Sequence, residues 1–485
     1  MKRHFNKLFI LLGVVMTLGG CSKDYLEDPK PAGSVSEDVV FNSRAGVEAY
    51  ISGIHRRARA QFTNTDAAGL NSIYYARVVK GNDIIQGPTW FLYDYENDNR
   101  EPTYRRTIFT WEFSYFMINQ LNTLINGVEA SQTLSPEEKA DLKGQGLALR
   151  AFYYFQLAME FQQTYTYDSS LPAPPIYLEL SLEGKPMSTL EEMYTLIVSD
   201  LTTAIDGLTD ARLDKSYVNK SVAQGFLARV YLVMENWEGA EKMAHAAYGG
   251  DVQAALDPEW YDNGFDDTNS PEVMWALIQY PDQTNYYWGA PAAQADHRTT
   301  SYYGMYVNDD FVQTFAPTDV RNLFVHMYTD DPTDYRYWVT NKFEFTFDAD
   351  FITMRTPEMI LIEAEALYHQ GGAKEDQAHD LLFQLQQSRI FDDPETEDVV
   401  EQAVKSNNTG ADLFEEILLE RRKELYGEIG VEWFDAKRLQ RGITRTGNHR
   451  VFASLQPNDP NFYLKIPQAE IDANDAIDAS VNANR

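Results

Sequence analysis

The chain has 485 residues and a formal net charge of −32 at pH 7. A surface this acidic repels nucleic-acid phosphates and anionic lipid headgroups, so the charge argues against a nucleic-acid partner and is compatible with neutral ligands. Tyrosine occurs 30 times and phenylalanine 26 times. Most of these rings must pack in a core, but tyrosine combines an apolar face with a polar edge and also suits wet binding surfaces.

The first 40 residues predict a targeting signal followed by a tether. Three basic residues precede an apolar run from Leu8 to Leu18, which has signal-peptide length and is too short to span a bilayer. Cys21 follows two glycines in an arrangement that resembles the lipobox of a bacterial lipoprotein. We therefore expect a signal peptide over 1–20 and a lipidated tether over 21–40. A secreted protein with an incidental cysteine is the alternative.

Residues 41 to about 250 form a predicted helical half. Residues 142–163 are apolar on nearly every side, which is typical of a buried helix. Residues 190–208 carry one apolar stripe, as expected of a helix with one face on the core. Helical spacing of apolar residues predicts two further helices at 221–235 and 237–248.

Two segments differ in amino-acid composition from the helical parts. The segment 81–105 and an insertion-rich region from about 251 to 350 are rich in proline, glycine, Asp/Asn and aromatic residues. Short strands are predicted at 273–279 and 342–347. Long polar and aromatic insertions on a helical scaffold are the usual location of a functional site.

The remaining residues, about 351–485, form a C-terminal helical half. A Gly-Gly pair between two of its helices predicts an antiparallel hairpin that resembles a tetratricopeptide-type pair, although no strict repeat period is present. The predicted helices are 357–370, 374–389 and 412–427. The sequence therefore predicts a mostly α fold, in which tetratricopeptide-like helix pairs form a scaffold and long irregular insertions carry a few short strands. We expect a single domain over 41–485.

Several stretches form a recognisable set. They are CSKDYLEDPKP (21–31), LALRAFYYFQLAMEF (147–161), FITMRTPEMILIEAEALYHQGG (351–372), ERRKELYGEIGVEWFDAKR (420–438) and KIPQAEIDAND (465–475). Together they resemble the SusD/RagB family of Bacteroidetes outer-membrane lipoproteins, and the fourth stretch is the most specific. Glu432 departs from the family pattern, which usually has arginine before the Trp-Phe-Asp sequence.

The resemblance implies a non-enzymatic, surface-exposed lipoprotein that is anchored by lipid to the outer membrane and faces the cell exterior. Such a protein captures oligo- or polysaccharide and delivers it to a SusC-like TonB-dependent transporter. A peptide-binding member of the same importer class is one alternative, and a glycoside hydrolase is another. No cofactor is implied, and a structural cation such as calcium has no support in the sequence.

The charged residues of the fourth stretch invite a catalytic interpretation, but we predict a structural role for them. Glu420 and Glu424 are one helical turn apart and lie beside Arg421 and Arg422. Such sets commonly form salt bridges that fix helix packing. The stretch also carries Trp433, Asp435 and Arg438, and the tryptophan is expected to be buried.

Sugars present flat C–H faces and a rim of hydroxyl groups, so aromatic rings beside polar side chains suit a glycan. Three insertions combine both residue types. The predicted ligand-binding residues are Asn82, Asp83, Trp90, Tyr93, Tyr286, Tyr287, Trp288, Tyr302, Tyr335 and Trp338. Trp90, Trp288 and Trp338 are the favoured platforms, and the alternative for each ring is packing beneath its own loop.

The sequence nominates no catalytic residue and no metal site. It contains no H-E-x-x-H pattern, nucleophile elbow, P-loop or dinucleotide fingerprint. Asp94, Glu96 and Asp98 mimic the start of a calcium loop, but the later positions do not match. His369 and His379 lie on opposite arms of the predicted hairpin, where a shared metal is the less favoured interpretation.

Overall fold

The computed structural model describes residues 40–60, 64–283, 289, 292–390, 403–483 and 485. Cys21, the signal peptide and the tether up to residue 39 lie outside the described residues. So do three predicted ligand-binding residues, Tyr286, Tyr287 and Trp288.

The described residues are mostly helical, as predicted. The helices are α1 (Arg44–Ala60), α2 (Leu70–Val78), α3 (Leu92–Tyr95), α4 (Arg105–Ala130), α5 (Pro136–Phe161), α6 (Leu190–Gly207), α7 (Lys220–Val233), α8 (Trp237–Tyr248), α9 (Val252–Ala255), α10 (Asp309–Val312), α11 (Thr356–Gln370), α12 (Ala373–Ser388), α13 (Ala411–Leu425), α14 (Val431–Arg438) and α15 (Gln468–Ala473). Every helix predicted from the sequence is confirmed, with ends that differ by a few residues. The long helices α1 and α4 and the shorter helices α2, α3, α9, α10, α14 and α15 were not predicted.

The long helices pack on their neighbours in chain order, from α4 through α5, α6 and α7 to α8. Helix α8 then contacts α11, which pairs with α12. The hairpin between α11 and α12 turns at Gly371 and Gly372, whose positive φ angles of 67° and 59° favour glycine. The expected tetratricopeptide-like pairing of helices is therefore present.

Local sequence signals explain where the central helices begin. Ser135 and Glu138 form a capping box at the start of α5, because each side chain accepts a hydrogen bond from the backbone of the other residue. Thr189 and Glu192 do the same at the start of α6. Most of α5 is buried on all sides, which confirms the prediction from its apolar pattern.

Within the described residues, the strands form four short antiparallel pairs. They are β1 (Ile84–Gln86), β2 (Pro172–Ala173), β3 (Ser188–Thr189), β4 (Val273–Leu277), β5 (Met305–Val307), β6 (Phe324–Val325), β7 (Val339–Thr340) and β8 (Phe351–Arg355). The pairs are β1 with β5, β2 with β3, β4 with β8, and β6 with β7. The insertions thus carry their own small ladders, and the β1–β5 ladder lies in a second apolar cluster beside the helical core.

One predicted strand is wrong. Residues 342–347 alternate phenylalanine with other residues but form no strand. The backbone N–H of Glu344 donates to the Gly264 carbonyl at 2.7 Å. The N–H of Phe345 donates to Asp296 Oδ2 at 2.9 Å. The backbone of this segment is therefore satisfied by loops instead of by a neighbouring strand.

A buried ion-pair network joins the helical scaffold to the insertions. Glu424 of α13 accepts from Arg321 at 2.9 Å and from Arg389 at 2.6 Å, and its side chain is fully buried. Arg355, at the end of β8, lies 3.4 Å from the same carboxylate. Both Arg355 and Arg389 also bind Glu272, at 2.9 and 2.8 Å. The network ties α13 to β8, to the end of α12 and to the insertion that holds Arg321.

Other charged residues of the stretch 420–438 form a second buried set. Arg421 binds Asp435 at 2.9 Å. Arg438 binds the same aspartate at 2.7 Å and Glu365 of α11 at 2.6 Å. Trp433 is buried. The prediction that this stretch is structural is confirmed, although the partners of Glu420 and Glu424 come from distant segments instead of from the adjacent arginines.

We expect Glu424→Gln to lower the free energy of unfolding by about 3–5 kcal/mol, because it leaves three buried guanidinium groups undercompensated. Burial opposes ionisation of Glu424, but the arginines outweigh it and hold the pKa of this carboxyl far below its ordinary value of 4.5. The contribution of Glu424 is therefore present above about pH 4.5 and declines as the pH falls further.

Urea denaturation of the variant and of Glu415→Gln measures the difference. Glu415 pairs with Arg441 at 2.8 Å on the surface, where its loss costs about 0–1 kcal/mol. Equal midpoints for the two variants would contradict a central role for Glu424.

Candidate functional site

The segment between β1 and α4 is held in a defined turn. Tyr75 Oη donates to Gln86 Oε1 at 2.8 Å, and Gln86 Nε2 donates to Thr89 Oγ1 at 2.7 Å. The Gly87 N–H donates to the Gly304 carbonyl at 2.7 Å, which extends the β1–β5 ladder by one bond. This turn places Trp90 immediately beyond the ladder.

Beyond the turn lies a groove of about 950 Å³. It is lined by Asp66, Thr89, Trp90, Leu92, Tyr93, Asp98, Asn99, Thr103, Tyr104 and Arg105. Three of its rings remain open to solvent: Trp90 is 45% exposed, Tyr93 59% and Tyr104 40%. Exposed aromatic rings that line one concave surface are a feature of ligand sites more than of packing.

Polar groups accompany these rings. Arg105 Nη1 donates to Asp66 Oδ1 at 2.8 Å, so the start of α4 is linked to the segment before α2. Asp98 and Asn99 add a carboxylate and an amide to the lining. The groove therefore combines apolar ring faces with hydrogen-bonding groups, the combination that a sugar requires.

The structure brings together two predicted ligand-binding residues from different insertions, Trp90 and Tyr302. The rings of Trp90 and Tyr302 meet edge to face with centroids 6.4 Å apart. Tyr302 Oη accepts from Thr65 Oγ1 at 3.2 Å. The next residue, Tyr303, is 38% exposed and has a φ of 51°, a backbone conformation that is costly for a tyrosine. Aromatic residues distant in sequence thus meet around the ladder end.

Trp338 and Tyr335 occupy different surroundings. Trp338 Nε1 donates to Asp309 Oδ1 at 2.7 Å, and its ring stacks on His326 with centroids 3.8 Å apart. Tyr335 packs against Tyr306 at 5.2 Å. Neither residue lines the groove. Their ring faces are largely engaged by the insertion itself, which corresponds to the alternative interpretation made from the sequence.

Asn82 and Asp83 do not line the groove either. Asp83 is 4% exposed, and both of its carboxylate oxygens accept from Arg422. The side chain of Asn82 bonds with Thr446, whose backbone N–H donates to Asn82 Oδ1 at 2.8 Å. Both residues lie at the opposite end of the β1–β5 ladder from Trp90.

Sequence reasoning missed several residues of the lining. Tyr104 lies in the recognised segment 81–105 but was not singled out, although its aromatic character was a usable signal. Asp66 lies in a different part of the sequence and is ion-paired with Arg105 in the lining of the groove. No local pattern predicts that contact.

Among the described residues, no group of three or more His, Cys, Asp or Glu side chains is arranged to hold a metal ion. Asp94 instead binds Arg106 through both oxygens, at 3.0 and 3.1 Å. His369 stacks on Trp237 with centroids 4.0 Å apart, and His379 Nε2 bonds to Ser406 Oγ. The two histidines are therefore engaged separately.

Comparison with known proteins identifies the family. Residues 235–482 match the model of the SusD family, and residues 24–232 match a SusD-like model described as starch-binding and associating with the outer membrane. The chain belongs to the SusD family. No helix within the described residues of this SusD-family protein is both long enough and apolar enough to cross a membrane.

Individual relatives are similar to this chain at low sequence identity. A SusD-like protein of Bacteroides ovatus is 23% identical over 239 residues, a match that spans 48% of this chain and 40% of the relative. A SusD-like carbohydrate-binding protein from Bacteroides vulgatus is 24% identical, with a TM-score of 0.79 over 90% of this chain and 97% of that one. Surface glycan-binding protein A from Bacteroides thetaiotaomicron, solved with laminarihexaose, is 15% identical, with a TM-score of 0.68 over 89% and 98% of the two chains.

Truncating the two tryptophans should have different effects on stability. We expect Trp338→Ala to lower the free energy of unfolding by about 2 kcal/mol, because it removes a hydrogen bond to Asp309 and the stack on His326. Trp90→Ala should stay within about 0.5 kcal/mol of the parent protein, because the ring is half-exposed. Thermal unfolding of both variants measures the contrast. A large loss for Trp90→Ala would show that this ring is packing.

Proposed function

We propose that the protein is a surface-exposed lipoprotein that captures a glycan in the groove beside Trp90 and delivers it to a SusC-like TonB-dependent transporter. The observation that carries the proposal is the alignment of three solvent-exposed rings, Trp90, Tyr93 and Tyr104, along one groove with polar neighbours. Ring faces bind the C–H faces of sugars, and the polar groups bind the hydroxyl rim.

Two further points support this function. A protein of the same fold, surface glycan-binding protein A from Bacteroides thetaiotaomicron, was solved in complex with laminarihexaose. The exposure of Trp90, Tyr93 and Tyr104 also leaves ring surface in the groove accessible from solvent. We therefore assign the ligand-contacting role to Trp90, Tyr93 and Tyr104, with Tyr302 supporting the first of these rings.

Native affinity electrophoresis against a panel of neutral and acidic polysaccharides tests glycan capture. A soluble form that begins at Ser22 should be retarded by at least one glycan without release of reducing ends. The double variant Trp90→Ala/Tyr93→Ala should bind about tenfold more weakly or worse, because it removes two ring platforms. Release of reducing ends would favour the glycoside hydrolase alternative.

Tyr167→Ala serves as the matched control. Tyr167 is 48% exposed, similar to Trp90, and does not line the groove. Equal loss of retardation in this control and in the double variant would contradict the assignment of the groove. Binding of peptides but of no glycan would favour the peptide-binding alternative.

We further propose that Cys21 carries the lipid anchor and that residues 1–20 are removed as a signal peptide. The basic and apolar sequence before Cys21 supports this. Cys21→Ser should shift the protein from the membrane fraction to the soluble fraction, because the substituted side chain has no thiol to receive a diacylglyceryl group. Immunoblots of the two fractions measure the change. Retention of the variant in the membrane would contradict lipid anchoring through this residue.

A further inference from the structure

The loop between β2 and β3 exposes three leucines within five residues. Leu178 is 44% exposed, Leu180 is 63% exposed and Leu182 is fully exposed. A single exposed leucine is ordinary on a protein surface, whereas several close together are typical of a surface that binds a partner. We call residues 174–187, which join the two strands, the leucine loop.

The base of the leucine loop is fixed to the helical core. Tyr154 Oη donates to the Tyr177 carbonyl at 2.7 Å and accepts from the Tyr177 N–H at 2.8 Å. Asn122 Nδ2 donates to the same carbonyl at 2.9 Å. On the returning arm, Asn474 Nδ2 donates to the Lys185 carbonyl at 2.9 Å. Because Tyr154 of α5 and Asn122 of α4 are buried, the base of the loop has a defined position and the leucines project from it.

A second groove, of about 490 Å³, adjoins the leucine loop, and we call it the tether-end groove. It is lined by Phe41, Asn42, Thr123, Asn126, Gly127, Ala130, Ser131, Gln132 and Leu180. Phe41 is buried against Gly127 of α4, where any side chain would collide with the phenyl ring. The first described residues of the chain therefore lie in this groove, beside Leu180.

The tether-end groove is also the place where the proposed tether joins the fold. Eighteen residues, 22–39, separate the proposed lipid anchor at Cys21 from the first described residue. A fully extended chain of this length spans at most about 65 Å. The anchor therefore keeps the end of the fold that carries the leucine loop within this distance of the outer membrane.

The groove beside Trp90 lies at the opposite end of α4. Arg105, the first residue of this helix, lines that groove, whereas Ala130, the last residue, lines the tether-end groove. The two ends of this 26-residue helix are about 37 Å apart, at a rise of about 1.5 Å per residue. A partner bound at the leucine loop therefore leaves the groove beside Trp90 open to a glycan.

We propose that the leucine loop is the docking surface for the SusC-like transporter. A transporter in the outer membrane and a protein anchored by lipid to the same membrane meet at the end of the fold where the tether joins, and that end carries the exposed leucines. Burial of these side chains in the contact supplies an attraction that the isolated protein leaves unused. The inference rests on the proposed function for the identity of the partner and for the lipid anchor.

The charges of the leucine loop favour a protein partner over a lipid surface. Glu179 and Glu183 are exposed beside the leucines. The side chain of Lys185, at the base of the loop, donates to the Ile176 carbonyl at 3.2 Å and faces the Tyr177 ring. Anionic headgroups would meet the two carboxylates in a chain whose net charge is −32 and would be repelled. The complementary surface is an apolar patch edged by lysine or arginine, which a protein can supply.

Photo-cross-linking in intact cells tests the docking surface. Leu180→p-benzoylphenylalanine in the full-length protein should give a light-dependent adduct with a SusC-like TonB-dependent transporter, identified by mass spectrometry. Phe452 is the matched control, because it is also 63% exposed and follows Val451, which packs against the apolar cluster of the β1–β5 ladder. The same substitution at Phe452 should give no adduct above the background without light. Equal yields at the two positions, or an adduct at Leu180 with other proteins only, overturn the proposal.

A triple variant, Leu178→Ser/Leu180→Ser/Leu182→Ser, tests whether the leucines supply the binding energy. Co-purification of the transporter with the full-length variant from detergent-solubilised membranes should fall about tenfold or more, because a few apolar anchors carry most of the energy of a contact. In the soluble form that begins at Ser22, the thermal midpoint and the retardation by glycan should match those of the parent, because the three side chains are exposed. Unchanged recovery of the transporter would contradict the proposal.

The same soluble form distinguishes the other occupants. It should sediment as a monomer and should not float with vesicles that contain phosphatidylglycerol. A dimer, or flotation with the vesicles, that the triple variant abolishes would assign the loop to a second copy or to lipid and would overturn the proposal. An adduct with the transporter from a protein that no glycan retards would support the docking surface and reject glycan capture. Retardation by a glycan without any adduct at Leu180 would support glycan capture and overturn the docking surface.

Discussion

The ion-pair network around Glu424 is the interaction on which the remaining structure depends. Arg321, Arg355 and Arg389 come from segments far apart in the sequence, and each is fully buried. An unpaired buried charge is far more costly than a surface charge, so these groups tolerate only the arrangement in which all of them are paired. The network therefore specifies how α13 docks between the helical scaffold and the insertions.

The same helix positions the candidate site. Arg422 follows Arg421 in α13. Arg421 binds Asp435 in the buried set, whereas Arg422 binds Asp83 in the segment 81–105. Glu432, at the start of α14, accepts hydrogen bonds from the backbone N–H groups of Asn82 and Asp83, just before β1. The β1–β5 ladder is too short to be stable by itself. Its position is set by these two helices, which explains how a groove made of loops can present its rings in fixed directions.

The seven helices that were predicted could be found because apolar periodicity reports which face is buried, and the tertiary structure agrees with it. The segment 342–347 shows where such reasoning fails, since alternation identifies an extended chain but not a partner strand. Asp83 was grouped with the ligand-binding residues because polar residues near aromatic ones suit a glycan. Its true partner, Arg422, is more than 300 residues away. Asp66, in contrast, was not grouped with the ligand-binding residues, because its partner Arg105 is 39 residues away. Contacts between distant segments decide both roles, and a single sequence does not contain them.

The charge of the chain also has a consequence for the groove. Among the described residues that line it, Arg105 is the cation, and Asp66 already binds it. Asp98 adds a second carboxylate to the lining. A glycan with uronate or sulfate groups would meet an excess of negative charge here and would have to displace Asp66 to reach the guanidinium. A neutral glycan needs only ring faces and hydrogen-bonding groups, both of which the groove supplies. The local charge balance thus agrees with the net charge of −32 and favours neutral over anionic ligands.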